Sequence, residues 1–62
     1  MTGDRRPSSL LDIPAVAAVC GVSEKTVRRW ISAGDLPAAK LGSQWRIRPQ
    51  DLDDFIRDRL VR

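Results

Sequence analysis

The chemistry open to this chain is dominated by arginine. Nine of its eleven cations are Arg, and it contains no His and no Tyr. A guanidinium is a planar fork whose parallel N–H donors match a phosphate or the edge of a guanine. The cations are also unevenly placed. Residues 25–48 carry Lys25, Arg28, Arg29, Lys40, Arg46 and Arg48 against one acid, Asp35, a local charge of +5. The stretches on either side each sum to −1, and the whole chain to +3. A central electropositive block between weakly acidic ends is expected to meet a polyanion, and double-stranded DNA is the expected partner.

Catalytic and metal chemistry fail on inventory. Covalent catalysis on a phosphodiester needs an activated nucleophile, usually a Tyr or Ser with basic partners. The Ser residues fall in the N-terminal tail, at a helix cap, at a helix end and in a hairpin turn. Cys20 is alone, so it forms no internal disulfide and cannot build a zinc site. It reads as a small packed hydrophobe. Asp51, Asp53 and Asp54 sit together, but they read as acids favoured by the start of a helix rather than as metal ligands. No catalytic residue, metal, cofactor or small-molecule ligand is expected.

Six cations act together only if the backbone presents them on one side. With 62 residues the chain makes one small domain of marginal stability. Residues 1–9 are polar and punctuated by Gly and Pro, and read as a disordered arm in which Arg5 and Arg6 are solvated. The domain is expected over 10–62. A first helix is predicted over about 14–20, with Pro14 in its first turn and Gly21 ending it. Asp12 or Ile13 is its N-cap, and Asp12 is the better side chain. A second helix starts after Ser23, with Glu24 behind it. Val27, Trp30 and Ile31 mark its apolar face, and Lys25, Arg28, Arg29 and Ser32 the opposite one. Gly34 caps it, and Pro37 forbids continuation.

Residues 38–41 and 44–48 read as two strands around the turn Gly42-Ser43. Alternation puts Trp45 and Ile47 on one face and Gln44, Arg46 and Arg48 on the other. Pro49 opens a third helix over roughly 50–60, acidic at its start and basic toward its end, with Leu52, Phe55, Ile56 and Leu60 as its buried stripe. Trp30 and Trp45 are better placed as core residues than as base-stacking platforms. No run is apolar enough to span a membrane and no signal-peptide order is present, so a cytoplasmic protein is expected.

The most specific pattern lies over 13–31. A helix-turn-helix needs a small residue where its first helix approaches the second, a glycine in the turn, and apolar residues where the helices pack. Ala17 and Gly21 occupy the two special places. Val16, Cys20, Val22, Val27 and Trp30 occupy packing places around them. The outward face of the second helix is then a major-groove reader: Arg28 is the first choice for base contact, and Arg29 for a base or a phosphate.

Over residues 11–55 the chain resembles the excisionase group of MerR-like winged helix-turn-helix proteins. The matching motifs are Pro14-Ala15-Val16-Ala17, Gly21-Val22-Ser23, Thr26-Val27-Arg28-Arg29-Trp30-Ile31, Gly34-Asp35-Leu36-Pro37, Trp45-Arg46-Ile47 and Asp51-Leu52-Asp53-Asp54-Phe55. The resemblance implies a mainly α fold with a small β-hairpin wing and a C-terminal helix. It implies a recognition helix that meets the major groove through Ser23, Lys25, Thr26, Arg28 and Arg29. It further implies a wing that meets phosphates or the adjacent minor groove through Lys40, Ser43, Gln44, Arg46 and Arg48. The chain departs from the pattern at Ile13, where a capping Thr or Ser is common, and at the wing tip, where Ser43-Gln44 replaces a basic pair.

Two functions follow from that resemblance. The first is an excisionase of phage type, an architectural factor that bends DNA and directs a separate integrase toward excision. The second is a small stand-alone transcriptional regulator of the same fold. A single domain contacts few bases, so head-to-tail self-association of neighbours on DNA is expected, with the protein on the nucleoid of a bacterial host when bound. A DNA-binding head cut from a larger protein is a third reading, against which the initial Met and the single core weigh.

Overall fold

The computed structural model of the chain describes residues 10–60. The expected arm, with Arg5 and Arg6, and the last two residues, with Arg62, lie outside the described residues.

Helix α1 spans Ile13–Cys20. Asp12, in extended backbone, is its N-cap: one carboxylate oxygen accepts from the Ala15 N–H at 2.9 Å. Ile13 is the first helical residue and is buried, which is why this position carries an aliphatic rather than a capping side chain. At the other end Gly21 turns left-handed, with φ 69° and ψ 36°. That turn brings the Val22 N–H back to the Ala17 carbonyl at 3.0 Å.

Helix α2 spans Glu24–Ser32. The Ser23 hydroxyl accepts from the Thr26 N–H at 3.1 Å. The exit is closed by two bonds: the Gly34 N–H donates to the Ile31 carbonyl at 3.0 Å, and the Asp35 N–H to the Trp30 carbonyl at 2.9 Å. This is the Schellman arrangement, and it delivers Leu36 into the core immediately afterwards.

Strand β1, Ala39–Leu41, pairs antiparallel with β2, Gln44–Arg46, in the register Ala39↔Arg46, Lys40↔Trp45, Leu41↔Gln44. The sequence pattern predicts longer strands, reaching Ala38 on one side and Arg48 on the other. The pairing stops earlier because Pro37, which would face Arg48, has no N–H to give to a ladder. Ile47 instead turns its backbone to Leu11, with bonds of 2.8 and 2.7 Å in the two directions. The residues before α1 thereby brace the base of the wing.

Helix α3 spans Pro49–Leu60, one residue longer at its start than the pattern predicts, because proline fits a first helical position. In its first turn the N–H groups of Asp51 and Leu52 donate to the Arg48 carbonyl at 3.0 and 3.1 Å. The core is Ile13, Val16, Ala17, Val27, Leu36, Ile47, Leu52 and Phe55, so all three helices and the wing base contribute to it. Trp30 is half-buried against it, its ring 4.7 Å from that of Phe55 and tilted by 48°. Ile56 is also half-buried, so the predicted stripe on α3 is deepest at Leu52 and Phe55. The architecture is mainly α with a two-stranded wing: a winged helix-turn-helix.

Candidate nucleic-acid interface

The cap that starts α2 decides what its first turn shows to solvent. Ser23 spends its hydroxyl oxygen on the Thr26 N–H and lies 3.1 Å from the Thr26 hydroxyl. These two residues hold the end of the helix in shape. Lys25, Arg28 and Arg29, set at spacings of three and one, are exposed on the face opposite Val27. Val27 is fully buried, so the orientation of the cationic face is fixed by the core. Arg28 lies 3.8 Å from Glu24 one turn before it; both are exposed, so the pair steers the guanidinium without neutralising it strongly.

The wing approaches this face. A cleft of about 420 Å³ is bounded by Asp12, Ile13 and Pro14 at the start of α1, by Glu24 and Arg28 on α2, and by Ser43, Gln44, Trp45 and Arg46 on the wing. Of the residues singled out in the sequence, Arg28, Ser43, Gln44 and Arg46 are thus brought together. Lys25 and Arg29 stand on α2 beside the cleft rather than in it. Lys40 lies on the other side of the hairpin from Gln44 and Arg46, its ammonium 5.4 Å above the Trp45 ring.

Two wing arginines have partners within the protein. Arg46 is half-buried; its Nη1 donates to the Trp45 carbonyl at 3.1 Å and its Nη2 to Gln44 Oε1 at 2.7 Å. Arg48 grips Asp51 with a fork, Nε to Oδ2 at 2.8 Å and Nη2 to Oδ1 at 3.2 Å. That carboxylate pushes the guanidinium pKa up, keeping Arg48 charged and directed toward α3.

Two acids of the cleft, Asp12 and Glu24, are absent from the sequence-based set. The signal for Glu24 was present, since it lies four residues before Arg28 on one helical face. Nothing local marks Asp12, which reaches the cleft only because Leu11 pairs with Ile47. Burial pushes the Cys20 thiol pKa up, as for a packed hydrophobe rather than a thiolate nucleophile. Among the described residues no group of three His, Cys, Asp or Glu is placed to hold a metal, and no helix is long and apolar enough to cross a membrane.

Comparison with known proteins agrees with this geometry. Residues 10–60 match the family described as helix-turn-helix domain. The transcriptional repressor DcmR of Methylorubrum extorquens is 41% identical over 54 residues, which cover 84% of this chain and 20% of DcmR. The putative DNA-binding proteins Rv0500A and MT0521 of two Mycobacterium tuberculosis strains are each 33% identical over 54 residues, 87% of this chain and 69% of theirs. The chain therefore spans about a fifth of the length of DcmR and about two thirds of the mycobacterial relatives. No solved structure matches. With its family match covering α1, α2, the wing and α3, the chain belongs to the helix-turn-helix domain family and is a winged helix-turn-helix domain of the DNA-binding kind.

Proposed function

We propose that the protein is a transcriptional regulator that binds a specific site in double-stranded DNA and acts by occupying it. The observation that carries this reading is that Arg28 of α2 and Ser43, Gln44 and Arg46 of the wing line one cleft, with Lys25 and Arg29 exposed on α2 beside it. Helix α2 enters the major groove, where Arg28 meets base edges; Lys25 and Arg29 meet the flanking phosphates. Ser23 and Thr26 hold the N-terminus of α2 against the duplex. On the wing Lys40, Ser43, Gln44, Arg46 and Arg48 form the second contact. Repression by occupancy needs no effector chemistry, and the similarity to a transcriptional repressor supports it.

The excisionase role is the second reading, favoured by the order of motifs from Pro14 to Phe55. It requires a separate integrase and neighbours bound head to tail, so that bends accumulate along the DNA. One experiment tests the proposal and separates the readings. Sites selected from a random duplex library are footprinted, then placed over a promoter in run-off transcription. A regulator gives one enriched sequence, and transcription falls as that site fills. Retained DNA with no enriched sequence would exclude site-specific regulation. Cooperative filling of direct repeats, with transcription untouched, would favour the architectural role.

A further inference from the structure

Among the three helices, α1 alone carries no charge. The chain is 31% charged, yet the eight residues of α1 include no acid and no base. Burial of Ile13, Val16 and Ala17 accounts for the inner side of the helix. Its outer side still shows Ala18 and Val19, and Val19 is 62% exposed, more open than any other large hydrophobic side chain among the described residues. Scattered surface valines are ordinary. Val19 is not isolated. With the half-buried Ile56 of α3 it stands between two grooves, one of about 420 Å³ that Leu11 and Asp53 also line, the other of about 270 Å³ that Trp30 and Arg59 also line. No residue of either groove is among the DNA contacts assigned to α2 and the wing.

The charge along α3 says what covers this ridge. The flanks of Ile56 carry Asp53 three residues before it, and Arg57 and Arg59 one and three residues after it. Asp54 and Asp58, each two residues from Ile56, lie on the far side of the helix. The ridge is therefore edged by acid toward the start of α3 and by base toward its end. Such a pattern is complementary to itself reversed. The matching surface is a second copy related by a two-fold axis at Ile56, with the two α3 helices antiparallel. At about 1.5 Å per residue, Asp53 then stands about 4.5 Å to one side of the axis, and Arg57 of the second copy about 1.5 Å to that same side, within reach of its guanidinium. Arg57 already donates to Asp53 of its own chain at 3.0 Å, so the contact joins two existing pairs into one network of four charges. The Val19–Ile56 ridge of each copy seats in a groove of the other.

We propose that the chain forms an isologous dimer through Val19 and Ile56, closed by Asp53 and Arg57 of the two copies. The contact leaves both α2 helices and both wings free. The pair thus offers two recognition helices to an inverted repeat, rather than to the direct repeats that head-to-tail neighbours would fill. The inference concerns the free protein, so it stands apart from how α2 reads DNA.

The test is sedimentation equilibrium of the full chain from micromolar concentration to about 1 mM, with thermal melts over the same range. The mean mass of the parent rises toward that of a dimer, and its Tm rises with concentration. Val19→Asp, at an exposed position, weakens the dimer about tenfold or more, while its circular dichroism stays that of the parent. Asp53→Arg makes the flank of Ile56 wholly basic, and Arg57→Asp makes the acid of that flank double. Each variant alone sediments as a monomer, and an equimolar mixture of the two restores association as a heterodimer. A parent that stays monomeric to about 1 mM would overturn the proposal and leave the ridge to a different partner. Undiminished dimerisation of Val19→Asp would place the interface elsewhere and overturn it too. A mixture no more associated than its components would remove the charge pairing that selects a second copy, and the proposal with it.

Discussion

Gly21→Ala should destabilise the domain through backbone conformation alone. The residue sits at φ 69°, ψ 36°, and a Cβ built there meets nothing within 4 Å. Space is therefore not the reason for glycine. An L-residue in the left-handed region costs about 1–2 kcal/mol. Replacing glycine also removes unfolded-state freedom, which offsets about 0.4–1 kcal/mol of that. The net expectation is a loss of about 1 kcal/mol, which in a domain of this size lowers Tm by about 4–8 °C. Gly21→Asn should lose less, since Asn tolerates the left-handed region better. A chain this short is accessible to chemical synthesis, which allows the decisive control: D-alanine at position 21 prefers the observed φ and should match or exceed the parent in Tm. Thermal melts followed by circular dichroism read all three. Equal destabilisation by L- and D-alanine would refute the argument, because a left-handed backbone penalises the L-residue and favours the D-residue.

Three further outcomes are expected. Ala17→Leu, at a buried contact between α1 and α2, should cost about 1–3 kcal/mol by overpacking and in so marginal a domain can abolish the melting transition; a melt like the parent's would remove the helix-turn-helix register. Affinity for DNA should fall log-linearly with salt as phosphate contacts release counterions, a slope that titrations at several salt concentrations measure directly. Arg29→Ala should weaken specific and random DNA alike, whereas Arg28→Ala should cost the specific site about 1–3 kcal/mol more than random sequence; equal losses for both variants in competition binding would deny Arg28 a base contact.

The helices were legible in the sequence because their signals are local. Asp12, Ser23 and Pro49 start them, Gly21 and Gly34 end the first two, and Val27 with Leu52 and Phe55 fixes which faces turn inward. The outward display of Lys25, Arg28 and Arg29 follows from that inward set. What the sequence did not disclose is non-local. The pairing of Leu11 with Ile47 joins residues 36 positions apart and braces the base of the wing. Leu36 reads as part of a turn motif, yet it is 1% exposed, because the Schellman bonds aim it into the core. The position of Asp12 beside Arg28 and the wing depends on that same tertiary closure. The orientation of the Gln44 amide depends on the rotamer of Arg46, which alternation along a strand does not specify.

The ion pairs explain why a modest net charge still produces a directed face. Arg57 lies 3.0 Å from Asp53 and 3.6 Å from Asp54, Arg59 lies 3.7 Å from Asp35, and Arg48 grips Asp51. Exposed pairs of this kind contribute about 0–1 kcal/mol each, so their stabilising value is small. Their electrostatic effect is larger, since a pair viewed from beyond a Debye length is close to neutral. Among the described residues, the cations within 4.0 Å of no carboxylate are Lys25, Arg29, Lys40 and Arg46, all on α2 or the wing. Asp51 thus offsets Arg48, Asp53 and Asp54 offset Arg57, and Asp35 offsets Arg59, leaving the positive field centred on α2 and the wing. Without those carboxylates Arg48, Arg57 and Arg59 would spread the field around the domain, and a duplex would be drawn toward α3 as readily as toward α2.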